Sequence, residues 1–477
     1  MVDVAETLDL FLNPRSIAVF GSMQEGWFFG PAVIIKDLSE WGYGGTIYPV
    51  NPGAESVYGR RVYRDAGEIE GPVDLAIIIT SYRYVPGILG RCGEKGVKAA
   101  VVVADGFGEA GEEGEKRQEE LLRIARSYEM RIMGPNTLGI LNTRDRVTTN
   151  PYEKGYRYSK TGPLSIVTQT GMYGPQAIAL NSYSFGVSKI IDLGNMCDID
   201  EVDCLNYLED DPDTGIISLY MEHTRRPQAF LETARRISMK KPILCLKGGK
   251  TPKAARAMAS HTGSLAADDR LYEGLFSQTG IMRVDEYRDL LDFAKAFIYQ
   301  PLPRGNRLGI ISFSGAIGIQ CVDAAEHEGL AVGSLDRKSL RRLEETHPLL
   351  KGHPIDLGPA SAVAGIEVFN FYKRSYQVLL EDDNIDCIYL NTYVSSLLSP
   401  ETYREFLRFI QAHGTKPTVL WCYGASEELI GEMAVLSEEY EIPFFPTSQK
   451  AIKALGYLWR YARWRESRSG IGTTKGL

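Results

Sequence analysis

No run of about 18 consecutive apolar residues occurs anywhere in the 477-residue sequence, so no membrane-spanning helix is expected. The opening stretch, MVDVAETLDLFL, is acidic and has neither a basic leader nor a small-residue cleavage site, so no secretory signal is expected. Cysteine is sparse and unpaired: the 7 residues are scattered singly, with no CxxC. That pattern reads as reduced thiols of a cytoplasmic protein, and it offers neither a disulfide framework nor a cysteine-held metal. Positive charge is not in excess either, with 53 Lys and Arg against 61 Asp and Glu, which argues against nucleic acid as the main partner. A phosphorylated ligand is still compatible, because backbone N–H groups hold phosphate without net basicity. Two nucleotide signatures are missing as well. The turn GSMQEGWFFG contains no GxGxxG, and the strand before Asn51-Pro52 ends without an acid for a ribose, which opposes a nicotinamide dehydrogenase. Gly249-Lys250-Thr251 looks like the tail of a phosphate loop, but Leu244 stands where GxxxxGK[ST] needs glycine.

What is present is repeated alternation of short apolar runs with helical patterns. The length suits about three domains of ordinary size, and βα alternation with β-branched strands implies doubly wound parallel sheets. In residues 1–150 the expected strands are Ser16–Phe20, Thr46–Val50, Asp74–Ile79, Ala99–Val103 and Arg131–Met133, forming a Rossmann-like domain. Ligands on such sheets bind beyond the C-terminal strand ends. Those ends carry Gly21-Ser22, Asn51-Pro52 and Gly134-Pro135-Asn136, which suit coenzyme A better than NAD. Residues 151–300 repeat the pattern, with strands at Leu164–Thr168, Val187–Asp192, Gly215–Tyr220, Ile243–Leu246 and Ile281–Val284. Thr170-Gly171 opens the helical pattern Met172–Ser184, where free N–H groups at the positive end of the dipole favour phosphate. Asp198, Asp200, Glu201 and Asp203 are read as first-turn carboxylates of a helix over Ile199–Leu208, and no metal site is assigned. Gln300–Gly305 is a linker, residues 305–466 form a third βα domain, and 467–477 form a tail.

One histidine of the six stands out. The strand Ile243–Leu246 runs into a loop of Gly, Lys, Ala and Ser, and His261 lies near its end with Ser260, Thr262 and Gly263 as small neighbours. Neutral imidazole is a nitrogen nucleophile near neutral pH, so an uncrowded His261 could accept a phosphoryl group. Glu222 ends the strand Leu219–Met221 at the same sheet edge, where its carboxylate could fix the tautomer of His261.

Taken in order, IYPVNP (47–52), GVKAAVVVADGFGE (96–109), GPNTLGILN (134–142), VTQTG (167–171), DLGNMCDIDEVD (192–203), YMEHTRRPQAF (220–230) and LKGGKTPKAARAMASHTGSLA (246–266) resemble a known family. They resemble the α subunit of the ADP-forming acyl-CoA synthetases, within the succinyl-CoA synthetase superfamily, over residues 5–465. The resemblance implies a Rossmann-like CoA-binding domain followed by two flavodoxin-like domains. It implies an acid–thiol ligase that converts a small carboxylic acid, CoA and ATP into acyl-CoA, ADP and phosphate through an acyl phosphate. His261 becomes the phosphohistidine, Glu222 its orienting carboxylate, and Thr170, Gly171, Ser260, Thr262 and Gly263 the phosphate cradle. CoA contacts fall on Gly21, Ser22, Asn51, Pro52, Ala104, Asp105, Gly106 and Asn136. ATP or ADP with Mg2+ would be handled by a separate ATP-grasp β subunit in an α2β2 cytoplasmic assembly, away from membranes and nucleic acid. Three positions depart from the family pattern: Trp27-Phe28-Phe29 in the first turn, Thr170 for serine, and His353-Pro354-Ile355-Asp356 for Asn-Pro-x-Asp. A non-catalytic CoA-binding regulator of the same architecture is the alternative, against which the presence of both His261 and Glu222 weighs.

Overall fold

A computed structural model describes residues 4–153, 160–171, 185–262, 268–364 and 368–469. The chain divides into two compact units, Met1–Leu290 and Leu291–Leu477. No helix among the described residues is long and apolar enough to cross a membrane.

The first unit contains two sheets. The first is built from β1 (Ser16–Gly21), β2 (Thr46–Val50), β3 (Leu75–Ile79), β4 (Ala99–Val102) and β5 (Arg131–Met133) in the order β2-β1-β3-β4-β5, every neighbour parallel. Runs such as LAIII in β3 are buried on both faces, as a parallel sheet covered by helices requires. The chain leaves β1 towards β2 on one side and reaches β3 on the other, so a crevice opens at the C-terminal ends of these strands. Helix α1 (Val85–Lys95) follows β3 with Pro86 in its first turn, where a missing N–H costs no hydrogen bond.

The second sheet comprises β6 (Ile140–Asn142), β7 (Val147–Thr148), β8 (Thr161–Thr168), β9 (Val187–Asp192), β10 (Ile216–Met221), β11 (Ile243–Lys247) and β12 (Met282–Val284). Its order is β12-β11-β10-β8-β9-β6-β7. All pairs are parallel except β9–β6 and β6–β7, which are antiparallel. The hairpin at 140–148 therefore belongs to the second sheet, although the alternation pattern assigns it to residues 1–150. Strands of 3 and 2 residues are too short for any periodicity to mark them. The helical pattern Met172–Ser184 lies outside the described residues.

Helix α2 (Glu201–Asp210) explains the carboxylate cluster. Asp200 Oδ1 accepts the N–H groups of Val202 (2.9 Å) and Asp203 (3.2 Å), and Asp203 Oδ2 accepts the Asp200 N–H at 3.3 Å, a capping box. Arg226 spans both acids, with Nε 2.6 Å from Asp200 Oδ2 and Nη2 2.7 Å from Asp203 Oδ1. Glu201, beside them, is fully buried, and among the described residues no partner stands within good hydrogen-bond geometry of its carboxylate oxygens, Thr224 being the hydroxyl that acts on it. Burial, with the Asp200 charge second, pushes its pKa up to about 7. A carboxyl whose folded pKa lies above its unfolded value supports the fold at low pH, and that support is lost as pH rises through about 7. The difference from 4.5 corresponds to about 3 kcal/mol. Glu201→Gln is therefore expected to match the wild type near pH 5 and to melt roughly 6–12 °C higher at pH 8. Calorimetric scans at the two pH values check this, and a variant that melts lower than wild type at pH 8 would refute it.

In the second unit β13 (Arg307–Ser312), β14 (Ala331–Val332), β15 (Ile355–Asp356), β16 (Cys387–Val394) and β17 (Thr418–Gly424) form a parallel sheet ordered β14-β13-β16-β17, with β15 on β13. The third domain reuses a local device of the second. Thr168 Oγ1 accepts the Thr170 N–H (3.2 Å) and donates to the Thr170 carbonyl (2.7 Å), and Ser312 Oγ does the same with Ser314 at 3.1 and 2.8 Å. His353, one of the departures from the family pattern, is structural here: its Nε2 accepts the Ile310 N–H at 2.7 Å.

Candidate functional site

Three segments of the second sheet meet at its C-terminal edge. The turn after β8 carries Gln169, Thr170 and Gly171; β10 ends in Glu222 and His223; and β11 passes through Gly248 into helix α3 (Pro252–Thr262). Gln169 ties the first two together. Its Oε1 accepts the N–H groups of Glu222 (2.7 Å) and His223 (3.1 Å), and its Nε2 donates to the His223 carbonyl at 2.8 Å. Glu222 Oε1 also accepts the Tyr220 hydroxyl at 3.1 Å, so the carboxylate leaves the sheet in a fixed direction. The Gly248 N–H donates to the Met221 carbonyl at 3.0 Å. A side chain there would stand 2.9 Å from the Tyr220 hydroxyl and 3.7 Å from Glu222 Cγ, so the start of the His261 segment passes directly beside Glu222.

The expected loop before His261 is a helix. Thr251 Oγ1 caps it by accepting the Ala254 N–H at 3.2 Å, Pro252 occupies the first turn, and the alanines of PKAARAMASHT favour helix. His261 lies in the last turn of α3 with Ser260 and Thr262; their side chains, and Gly263 entirely, lie outside the described residues. Helix α3 packs near the short 3-10 turn at Gly108–Ala110, which belongs to the first sheet's domain.

That contact leads into a small polar chamber of about 160 Å³, lined by Thr170, Gly171, Asn136, Glu109, Glu222 and His223, with Asn195 and Arg225 closing it. Glu109 joins the two sheets' domains: Oε1 accepts the Phe107 N–H at 3.0 Å, and Oε2 accepts the Asn195 side-chain amide. Arg225 donates to the carbonyls of Met196 (2.6 Å) and Asn195 (3.2 Å). Behind the chamber Asp192, fully buried, accepts the N–H groups of Leu138 (2.6 Å) and Gly194 (3.1 Å), and burial pushes its pKa up to about 6. Any side chain at position 171 would come within 2.6 Å of Leu138, which is why this turn carries glycine. Lys247 is buried with its ammonium 4.3 Å from the Tyr272 ring centroid, and desolvation lowers its pKa.

The residues assigned to CoA divide between two places. Gly21, Asn51 and Pro52 line a larger cavity of about 510 Å³ at the C-terminal ends of β1, β2 and β3, together with Arg64, Tyr84 and Arg91. Asn51 donates to the Gly21 carbonyl and accepts the Gly53 N–H, both at 2.7 Å, and a Cβ on Gly21 would strike the Ile79 carbonyl at 1.9 Å. Ser22 is exposed and does not line this cavity. Asn136 lines the polar chamber instead, its N–H bonded to the Ala104 carbonyl at 2.9 Å. Asp105 is exposed beside it, and Gly106 turns at φ 90° with its N–H on Glu109. Trp27 and Phe28 are about half exposed, and Phe29 packs edge-on against Tyr152. Gln169, His223, Asn195, Arg225 and Glu109 fall inside the quoted motif stretches, but the sequence reading gives them no role in the site. Their contacts, across separations such as 53 and 86 residues, emerge only on folding.

Comparison with known proteins bears on both places. Residues 15–143 match the family described as a CoA binding domain, and residues 161–297 match the succinyl-CoA ligase like flavodoxin domain. The chain is 34% identical over 472 residues to the acetate–CoA ligase (ADP-forming) I subunit alpha of Pyrococcus furiosus, covering 96% of this chain and 98% of that one. It is 31% identical over 471 residues to the acetate–CoA ligase (ADP-forming) II of Archaeoglobus fulgidus, covering 97% of this chain and 68% of that one. The dinucleotide-forming acetyl-coenzyme A synthetase 1 of Ca. Korarchaeum cryptofilum, solved in complex with phosphate and ADP, superimposes with a TM-score of 0.88 at 30% identity over 98% of this chain and 99% of that one.

Proposed function

This chain belongs to the family of ADP-forming acyl-CoA synthetase α subunits and is an acid–thiol ligase, and on that premise we propose that it works through a phosphohistidine at His261. The observation that carries the reading is the convergence of the Thr170-Gly171 turn, Glu222 and the start of the His261 helix on one sheet edge, beside a chamber of acyl-phosphate size. In the acyl-CoA-consuming direction a phosphate oxygen attacks the thioester carbonyl, the C–S bond breaks, and CoA leaves as the thiol. An imidazole nitrogen of His261 then attacks phosphorus, and the carboxylate leaves with its two oxygens. The phosphoryl group passes finally to ADP. Such transfers need placement and charge stabilisation more than acid–base work. The Gly171 N–H, the Thr170 hydroxyl and the small groups of Ser260, Thr262 and Gly263 serve the phosphoryl oxygens, while Glu222 fixes the imidazole.

CoA occupies the cavity at Gly21, Asn51 and Pro52, with the exposed Ser22 following Gly21 outside it, and directs its thiol towards Asn136 and the Ala104–Gly106 turn. ATP or ADP, with Mg2+, is bound by an ATP-grasp β subunit in an α2β2 cytoplasmic complex. Support for a divided enzyme comes from the relative named as a subunit alpha, of which this chain covers 98%. The substrate is a small carboxylic acid; the two ligases named above act on acetate.

Incubation with acetyl-CoA and labelled phosphate is expected to label the chain at an acid-labile, alkali-stable site. An unlabelled chain in the presence of its partner would count against the mechanism. Glu222→Gln is expected to keep the fold and to slow phosphoenzyme formation by about one to two decades, the loss of one charge-assisted hydrogen bond of roughly 1.5–3 kcal/mol. Rapid-quench single turnovers measure this directly, and a wild-type rate would remove Glu222 from the mechanism.

A further inference from the structure

We propose that Arg64 and Arg91 hold the 3′-phosphate of CoA at the larger cavity, with the adenine laid on helix α1, so that the chain selects CoA over dephospho-CoA. The inference rests on the CoA reading above and adds which end of the molecule this cavity takes. The cavity lies at the ends of β1, β2 and β3, and the sheet order β2-β1-β3-β4-β5 puts the Ala104 turn after β4 and Asn136 after β5. Two to three strand spacings separate the two places, about 10–15 Å. A thiol at the Ala104–Gly106 turn therefore leaves the opposite, nucleotide end of an extended CoA in the cavity.

Helix α1 turns one face to that cavity. Tyr84, Gly87, Ile88 and Arg91 line it at i, i+3, i+4 and i+7, the spacing of a single helical stripe. Gly87 weakens the helix, and no packing requires it, because a Cβ there would meet no atom within 4 Å. The bare backbone beside Ile88, with the Tyr84 ring 66% exposed at one end, makes an apolar slot for a planar base. Arg91 closes the stripe seven residues on, roughly 10 Å along the helix axis from Tyr84. Arg64 lines the cavity from the β2 side, and among the described residues its guanidinium makes no ion pair. Arg91 meets Glu94 at 3.2 Å, an exposed pair that is weak beside the forked bonds a guanidinium makes to phosphate. Asp65, the only acid on the lining, already accepts the Gly67 N–H at 2.6 Å. Positive charge is therefore in excess at the end of the cavity farthest from the thiol. The diphosphate of CoA lies between its arm and its nucleoside, so it falls nearer the strand ends at Gly21. The 3′-phosphate on the ribose is the group left for the two arginines.

Calorimetry on the full chain compares CoA with dephospho-CoA, which differs only in lacking the 3′-phosphate. The wild type is expected to bind CoA about 10- to 100-fold more tightly, as charge-assisted hydrogen bonds to one phosphate imply. In the Arg64→Ala, Arg91→Ala double variant that ratio is expected to fall below about threefold, with the affinity for dephospho-CoA kept. Both arginines are exposed, and retained binding of dephospho-CoA reports an intact fold. Gly87→Leu, whose side chain fills the slot, is expected to weaken both ligands alike by about tenfold or more. Equal binding of the two ligands by the wild type would overturn the inference while the CoA reading stood. An unchanged ratio in the double variant, or undiminished binding by Gly87→Leu, would overturn it too. Absence of CoA binding by the wild type would overturn the CoA reading and the inference with it.

Discussion

Replacing His261 by alanine is expected to abolish phosphoenzyme formation and acyl-CoA synthesis together, while CoA binding survives. The first part follows from the nucleophile. In the proposed mechanism no water or neighbouring group replaces the imidazole nitrogen as a carrier, because the phosphoryl group stays attached to the protein between the acyl and nucleotide reactions. His223, the other imidazole at this sheet edge, is a poor substitute: its Nδ1 is buried and its backbone is clamped by Gln169. The second part follows from placement. The cavity formed by Gly21, Asn51 and Pro52 lies at the strand ends of the first sheet, whereas His261 ends a helix that follows the second. Alanine is also a strong helix former, so the last turn of α3 tolerates the change. Phosphate labelling, acyl-CoA formation and CoA calorimetry on the same preparation check all three statements. Labelling that persists in His261→Ala would place the phosphoryl group elsewhere.

The sequence makes the sheets legible and the chamber almost invisible. Thr46–Val50 is an apolar and β-branched run between turn residues, and its limits match the structure, as do those of Val187–Asp192, which carries Ser188 and Lys189 among its apolar residues. Thr170, Gly171, Glu222, Gly21 and Asn51 are readable because strand ends in α/β sheets are where ligands bind. The hairpin at 140–148 is not readable, since its short strands gain their order from pairing with β9 rather than from pattern. Helix α3 was obscured by Gly248-Gly249, which signal a turn and do make one: Gly249 sits at φ 72°. The helix signal starts just beyond, with Thr251 as cap and Pro252 after it. The hydrogen bonds of Gln169, Glu109 and Asn195 join residues far apart in the chain, and amide and acid side chains carry no periodicity that announces such partners.

Supplied alone with ATP, Mg2+, CoA and acetate, the chain is expected to make no acyl-CoA, and addition of an ATP-grasp β subunit is expected to start the reaction. Transfer between a histidine and a nucleotide requires the terminal phosphates, a divalent cation and the attacking atom in line. A nucleoside diphosphate is drug-sized, and pockets for such ligands run to about 300–1,000 Å³. The chamber beside Glu222 offers about 160 Å³, and its two carboxylates, Glu109 and Glu222, repel the several charges of a polyphosphate more strongly than the single phosphoryl group of an acyl phosphate. The larger cavity at Gly21, Asn51 and Pro52 is taken by CoA in the proposed reaction, so using it for ADP would exclude a co-substrate. In the proposed mechanism the phosphoryl group leaves the chamber on His261 to meet the nucleotide on the β subunit. That traffic also explains why small residues flank His261 on both sides, in Ala259-Ser260 and Thr262-Gly263. Light scattering on the reconstituted mixture should give an α2β2 mass, and a coupled thiol assay should show activity only in those fractions. Robust ATP-dependent ligation by this polypeptide without a partner would overturn the division of labour and demand a nucleotide site within it.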